Sequence, residues 1–118
     1  MRTVKIFISQ PMNGKTNEEI ESKRKKISKI FSLLPFEGEI KVLDSFFKDA
    51  PHDANSVWYL GESIKKLSEA DVAIFAEGWE NARGCKIERM ICEEYGIPVY
   101  EEKSVDETRS CFSFFCGA

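Results

Sequence analysis

Histidine is almost absent from this sequence: His52 is the single one in 118 residues. The cysteines stand at positions 85, 92, 111 and 116 and form no C-x-x-C pair. Neither a zinc site nor a disulfide framework is therefore indicated, and buried free thiols are the expected reading. No apolar run approaches the length of a membrane span, and the opening MRTVKIFIS turns polar too quickly for a signal peptide. A cytosolic protein with no membrane partner is expected. There is no G-x-G-x-x-G, no G-x-x-x-x-G-K-[ST] and no Ser/His/Asp set, so dinucleotide, P-loop and serine-hydrolase readings lack support. A net charge of -3 gives no reason to expect a nucleic acid polymer as partner. No cofactor or metal is expected.

What is present is an ordinary globular composition, 42% hydrophobic and 31% charged. The length fits one domain over residues 1–118, too small to carry a separate substrate domain, so a site shared between subunits or open to water is expected. Val4 to Ser9 (VKIFIS) is a β-branched and aromatic run typical of a central strand buried on both faces. A loop follows, marked by Pro11 and Asn13-Gly14, and then Thr16-Asn17-Glu18-Glu19 in capping-box form. The helix begun there keeps Ile20, Ile27, Ile30, Phe31 and Leu34 on one face as far as Pro35. Its acidic-then-basic order suits the helix dipole, and the run Lys23 to Lys26 reads as a solvated face.

Ile40 to Leu43 reads as a second strand, and Asp44 to Asn55 as a polar loop interrupted by Phe46, Phe47 and Pro51. Val57, Leu60, Gly61, Ile64 and Leu67 recur at helical spacing, closed by Ser68 to Ala70. Val72 to Phe75 is a third strand, Gly84 to Tyr95 a helix ending at Gly96, and Ile97 to Tyr100 a fourth strand. Alternating strands and helices imply an α/β fold: a Rossmann-like or flavodoxin-like parallel sheet of about four strands, order 2-1-3-4, flanked by helices. Ligands of such sheets sit at the carboxyl ends of the strands where the direction of winding reverses, here the first and third. The flanking loops are Ser9 to Thr16 and Ala76 to Gly84.

One residue beside those loops is out of place. At about 100° per residue, Cys85, Ile87, Ile91, Cys92 and Tyr95 form an apolar arc opposite Lys86, Arg89 and Glu93, and Glu88 lies in its middle. A carboxylate there is costly unless it is paired or has chemistry to perform. The plain alternative is that it pairs with Arg83 or a backbone amide and closes the loop. Around it the sequence offers Phe7, Ser9, Gln10, Asn13, Gly14 and Lys15 from one side, and Glu77, Gly78, Trp79, Glu80, Asn81, Arg83 and Gly84 from the other. That inventory fits a sugar or a nucleotide. Trp79 or Phe7 would lie against a base, Asn13 or Asn81 would hold hydroxyls, and Arg83 with the Gly84 helix start would take an anionic group. Trp79 as a loop anchor and Arg83 as a surface charge are the bland counterparts. Glu88 suits nucleophilic attack on an anomeric carbon, with a second acid protonating the leaving group.

The end of the chain, Glu101 to Ala118, carries CFSFFCGA, in which Cys111, Phe112, Phe114, Phe115 and Cys116 are crowded together. Exposed, such a segment would be a liability, so residues 101–118 are expected to pack on the domain or on a second copy in a homo-oligomer.

The segments KIFISQPMNGKTNEEI (Lys5 to Ile20) and SEADVAIFAEGWENARGCKIERMICEEYGIPV (Ser68 to Val99) resemble the nucleoside 2-deoxyribosyltransferase superfamily, and within it the small DUF4406-like branch. Gly84-x-x-x-Glu88 matches the segment in which those transferases carry their nucleophilic glutamate. The resemblance implies a Rossmann-like sheet, oligomers whose subunits complete each other's sites, and transfer or hydrolysis at the N-glycosidic bond of deoxynucleosides or their 5'-monophosphates. This chain departs from the pattern at Phe7, where the transferases have tyrosine, and at Ala82, where they have aspartate; the family's further active-site aspartate falls near Ser63, beside Glu62, so that Glu80 or Glu62 would be the proton donor. A non-catalytic nucleotide-binding protein, sequestering a nucleotide-derived signal, is the rival the departures raise.

Overall fold

The computed structural model describes residues 3–32, 39–44 and 50–102. Strand β1 (Thr3–Ser9) passes from an exposed start into complete burial over its last four residues. Because side chains alternate along a strand, Ile6 and Ile8 enter one apolar cluster and Phe7 another, on the opposite face of the sheet. Helix α1 (Asn17–Ser32) covers the first face. Its start is the expected capping box: the Glu19 N–H donates to Thr16 Oγ1, and the Thr16 N–H donates back to the Glu19 carboxylate, each at 3.1 Å. Ile20, Ile27 and Ile30 are buried along it, and the last two pack on Ile6, Ile8, Val72, Ile74 and Ala76.

Strand β2 (Glu39–Val42), helix α2 (Ser56–Leu67), strand β3 (Val72–Phe75), helix α3 (Arg83–Tyr95) and strand β4 (Val99–Glu101) complete the order. All strand pairs are parallel and the sheet order is β2-β1-β3-β4, the arrangement expected from right-handed crossovers. A 3₁₀ turn over Trp79–Asn81, absent from the sequence reading, precedes α3. The fourth strand begins two residues later than expected. The Ile97 N–H donates to the Cys92 carbonyl and closes α3, while Pro98 supplies the carbonyl that receives the Ala73 N–H.

The second face of the sheet carries Phe7, Ala73 and Phe75 under Leu67 of α2 and Cys85 and Cys92 of α3. Two helical faces differ from expectation. In α2 only Leu67 is fully buried, Gly61 is exposed, and Val57 is 73% exposed. In α3 the buried seam is Cys85, Glu88 and Cys92, whereas Ile87 is exposed and Tyr95 is 80% exposed. The seam is turned toward Arg89, which the sequence placed in solvent. The Arg89 guanidinium carbon lies 4.6 Å from the Trp79 ring centroid and 5.4 Å from that of Phe75, and its Nη1 is 3.5 Å from Glu101. Aromatic faces and a carboxylate draw this cation inward, and the helix rotates with it. The crowded terminal segment, Phe46, Phe47 and the two distal cysteines lie outside the described residues. Among the described residues no helix is long and apolar enough to cross a membrane.

Candidate functional site

Ser9 and Phe75 are register partners at the carboxyl ends of β1 and β3, and the Ala76 N–H donates to the Ser9 carbonyl at 2.8 Å just before the two strands part. Beyond them the two loops touch. Gly78 sits at φ +90°, a left-handed conformation that glycine adopts without penalty, and a Cβ there would meet Pro11 Cγ at 3.7 Å.

Glu88 reaches this point from α3. It is 6% exposed, and its Oε1 accepts a 2.6 Å hydrogen bond from the Ser9 hydroxyl. Among the described residues no cation pairs with it; Arg83 is exposed and does not reach it. Burial pushes the Glu88 carboxyl up to about 7, against the pull of the Ser9 hydrogen bond. Cys85, one turn earlier on the same face, is a buried free thiol that burial raises to about 11. Cys92 is likewise free, buried and raised to about 11. Both thiols are inert by this measure.

The remaining expected site residues divide by face. Phe7 is fully buried in the core beneath α2 and α3, which leaves no open ring face for a base. Gln10, one residue beyond Ser9, turns to the α1 side: its amide donates to the Ile20 carbonyl at 3.2 Å and its oxygen accepts from Arg24 at 3.1 Å. Asn13 and Gly14 are exposed in the first loop, as are Glu80 and Asn81 in the second and Arg83 at the start of α3. Trp79 is an anchor: its indole N–H donates to Glu101 at 3.3 Å, its ring packs edge-to-face with Phe75, and Arg89 covers one ring face. Gly84 lies beside Leu60 of α2. Glu62 forms a 2.8 Å ion pair with Lys65 on its own helix.

Among the described residues, a cleft opens on the α1 side of the crevice. A cleft of about 340 Å³ runs between the two loops and α1, lined by Gln10, Lys15, Ser22, Lys23, Lys26 and Glu77 among others; Glu88 does not line it. This corrects in part the reading of the Lys23 to Lys26 run as a solvated face: Lys25 and Lys26 are exposed, but Lys23 and Arg24 are half-buried. Lys23 and Lys26 turn to the buried Glu102 carboxylate, and Arg24 donates to Gln10 and to the Leu43 carbonyl. A signal for this was present: Lys23 falls between Ile20 and Ile27 at helical spacing, on the buried stripe. Glu102 had no such signal. Among the described residues no group of three or more His, Cys, Asp or Glu is arranged to hold a metal.

The profile of a family described as Domain of unknown function (DUF4406) matches residues 4–101. The chain belongs to the DUF4406 family. The match runs from β1 to β4, so both halves of the crevice, the Ser9–Glu88 pair and the lysine-lined cleft, fall within the DUF4406 unit. No curated protein matches the chain.

Proposed function

We propose that this DUF4406 protein acts on the N-glycosidic bond of a nucleoside or nucleotide, as a transferase or hydrolase, with Glu88 as nucleophile. The observation that carries this is a buried carboxylate held by one hydroxyl at the winding reversal of a parallel sheet, with no cation paired to it among the described residues. Structural carboxylates that deep are normally paired. The likeness of the Gly84 to Glu88 segment to the nucleoside 2-deoxyribosyltransferases supports the same assignment.

In the proposed reaction the Glu88 carboxylate forms a bond to the anomeric carbon as the bond from that carbon to the base nitrogen breaks. The leaving base takes a proton from an acid, for which Glu80 and Glu62 are the candidates. Water, or the nitrogen of a second base, then attacks the same carbon, frees the carboxylate and releases its own proton. Ser9 orients Glu88 and favours its ionised form. Asn13 and Asn81, exposed on the loops, and Arg83, exposed at the start of α3, are the groups proposed to meet the polar parts of the substrate.

The second reading is a protein that binds a nucleotide without turning it over. The absence of Glu88 from the cleft lining favours this rival. One comparison separates them: wild type and Glu88→Gln incubated with pooled ribo- and deoxyribonucleosides and their monophosphates, with and without a free base, followed by mass spectrometry. Base release or exchange by wild type alone supports the enzyme. Retention of an unaltered nucleotide by both proteins supports the binder.

A homo-oligomer is part of the same proposal. Val57, Tyr59 and Met90 expose large apolar side chains on the α2 and α3 side, where a second copy would cover them.

A further inference from the structure

Glu102 is a carboxylate that the chain binds as though it were a ligand. It is 4% exposed. Its two oxygens accept from Lys23 Nζ at 3.2 and 3.1 Å, one also accepts the Glu77 backbone N–H at 2.9 Å, and Lys26 Nζ lies 3.5 Å away. Burial opposes its charge, yet the Glu77 amide, Lys23 and Lys26 together hold its carboxyl below the ordinary carboxylate range. The place is thus built for an anion. It is also continuous with open space, since Lys23, Lys26 and Glu77 line the cleft on the α1 side together with Lys15, Ser22 and the buried Gln10.

Three features of this arrangement exceed what one carboxylate needs. Lys15 and Ser22 line the cleft without bonding Glu102, so a cation and a hydroxyl stand ready beside the occupied pair. Lys26 is half-exposed and only loosely engaged at 3.5 Å. Glu102 itself lies one residue past β4, whose last register pair is Phe75 with Glu101, so withdrawing it breaks no ladder contact. A phosphate, with more acceptor oxygens and up to two charges, fits several ammonium donors, a hydroxyl and a backbone amide better than a carboxylate does. Two acidic side chains stand on the rim, Glu19, which the Thr16 amide holds in its charged form, and Glu77; both are exposed to solvent, which screens them, and Lys15, Lys23 and Lys26 outnumber them.

We propose that this cleft is a phosphate site, taking inorganic phosphate or the phosphate of a monoester through Lys15, Lys23, Lys26, Ser22 and the Glu77 amide, with Glu102 as the internal carboxylate that phosphate displaces. The proposal rests on the function argued above only for the identity of the ester, which that reading makes a nucleoside 5'-monophosphate.

Calorimetric titration of the folded chain at low salt with inorganic phosphate, a nucleoside 5'-monophosphate and the same nucleoside without phosphate tests it. Phosphate and the monophosphate should bind, and loss of the phosphate should weaken the nucleoside at least about tenfold. Glu102→Gln, which leaves a neutral competitor, should tighten phosphate by about tenfold, and Lys15→Met or Lys26→Met should weaken it by about fivefold or more. Unchanged or weaker phosphate binding in a folded Glu102→Gln protein overturns the proposal. Should that variant not fold, the two lysine variants, both altering side chains outside the core, decide alone: phosphate affinity equal to wild type in both rejects the site. Glu88→Gln should leave phosphate affinity intact. Turnover that depends on Glu88 without phosphate binding in the cleft would reject this site and keep the glycosidic reading. Phosphate binding without turnover would do the reverse.

Discussion

The Ser9 hydroxyl and the Glu88 carboxylate, 79 positions apart in sequence, meet at 2.6 Å in the interior. The contact exists because β1 ends where α3 begins its second turn, and because Ser9 has the same parity along β1 as Phe7 and so faces α3. A hydroxyl is a modest partner for a buried carboxylate, which leaves the group titrating near neutrality.

That titration has a sign. The folded-state value of about 7 is above the ordinary 4.5, so the folded protein binds more protons than the unfolded chain between those values. The contribution of Glu88 to stability is present in full below about 4.5, falls as pH rises toward 7 and levels off above it. Glu88→Gln, a neutral near-isostere, should therefore be more stable than wild type at pH 8 by roughly 3 kcal/mol, with the difference shrinking toward pH 5. Urea unfolding of both proteins across that range measures it. A constant difference at all pH values would mean that Glu88 does not titrate there.

Ser9→Ala removes the group that favours the ionised carboxylate. The Glu88 carboxyl should titrate at higher pH than in wild type, and stability above pH 7 should fall by about 1–3 kcal/mol for the lost charged hydrogen bond. Carbon-13 NMR of the Glu88 carboxyl reports the first and urea unfolding the second. If the protein is the proposed enzyme, the rising limb of its pH–rate profile should move upward with the same substitution.

The two lysines on Glu102 should differ in their effect on stability. Lys23 contacts both carboxylate oxygens and is one-third exposed, whereas Lys26 is 56% exposed at its side chain and contacts one oxygen at 3.5 Å. Lys23→Met should cost about 2–4 kcal/mol, because it leaves a buried charge without its main partner. Lys26→Met should cost under about 1 kcal/mol, as for other exposed pairs. The Glu102 value is lowered, so its contribution is present above the ordinary carboxylate range and is lost as pH falls through the folded value. Thermal unfolding near pH 7 and pH 3 should show the wild-type advantage over Lys23→Met narrowing in acid.

Cys85 and Cys92 should resist a thiol reagent in the native protein and react once denaturant is added, because both are buried and their thiols are raised to about 11. Quantifying labelled peptides by mass spectrometry separates these two thiols from Cys111 and Cys116. Native labelling of Cys85 as fast as a free thiol would contradict the packing of α3 against β1.

Association is tested at Val57 and Met90. Sedimentation or light scattering should find an oligomer for wild type and a smaller species for Val57→Lys or Met90→Lys, with circular dichroism unchanged. A wild-type monomer at all concentrations removes the second copy from the proposed function.

The sequence by itself determined the elements and their order. The runs VKIFIS and VAIF, the Thr16 to Glu19 capping box and the Gly96 stop are local signals, and crossover handedness then leaves few sheet orders. It also marked Glu88, because a carboxylate among apolar neighbours is visible from helical spacing alone. Tertiary structure decided which partner each polar group met. Arg89 turned inward because Phe75 and Trp79 present ring faces to it, and no periodicity within α3 encodes that. Lys23, and more loosely Lys26, became partners of a buried carboxylate because Glu102 emerges at the end of β4 beside α1, a meeting across 79 positions for the first of them. The division of the crevice, with Ser9 and Glu88 on one face and Gln10 and the lysines on the other, follows from strand alternation carried one residue past the end of β1. Local patterns fix where the chain turns and which side chains seek burial. The partner a buried charge finds depends on the closed sheet, because only that closure brings distant strand and helix ends within hydrogen-bond reach.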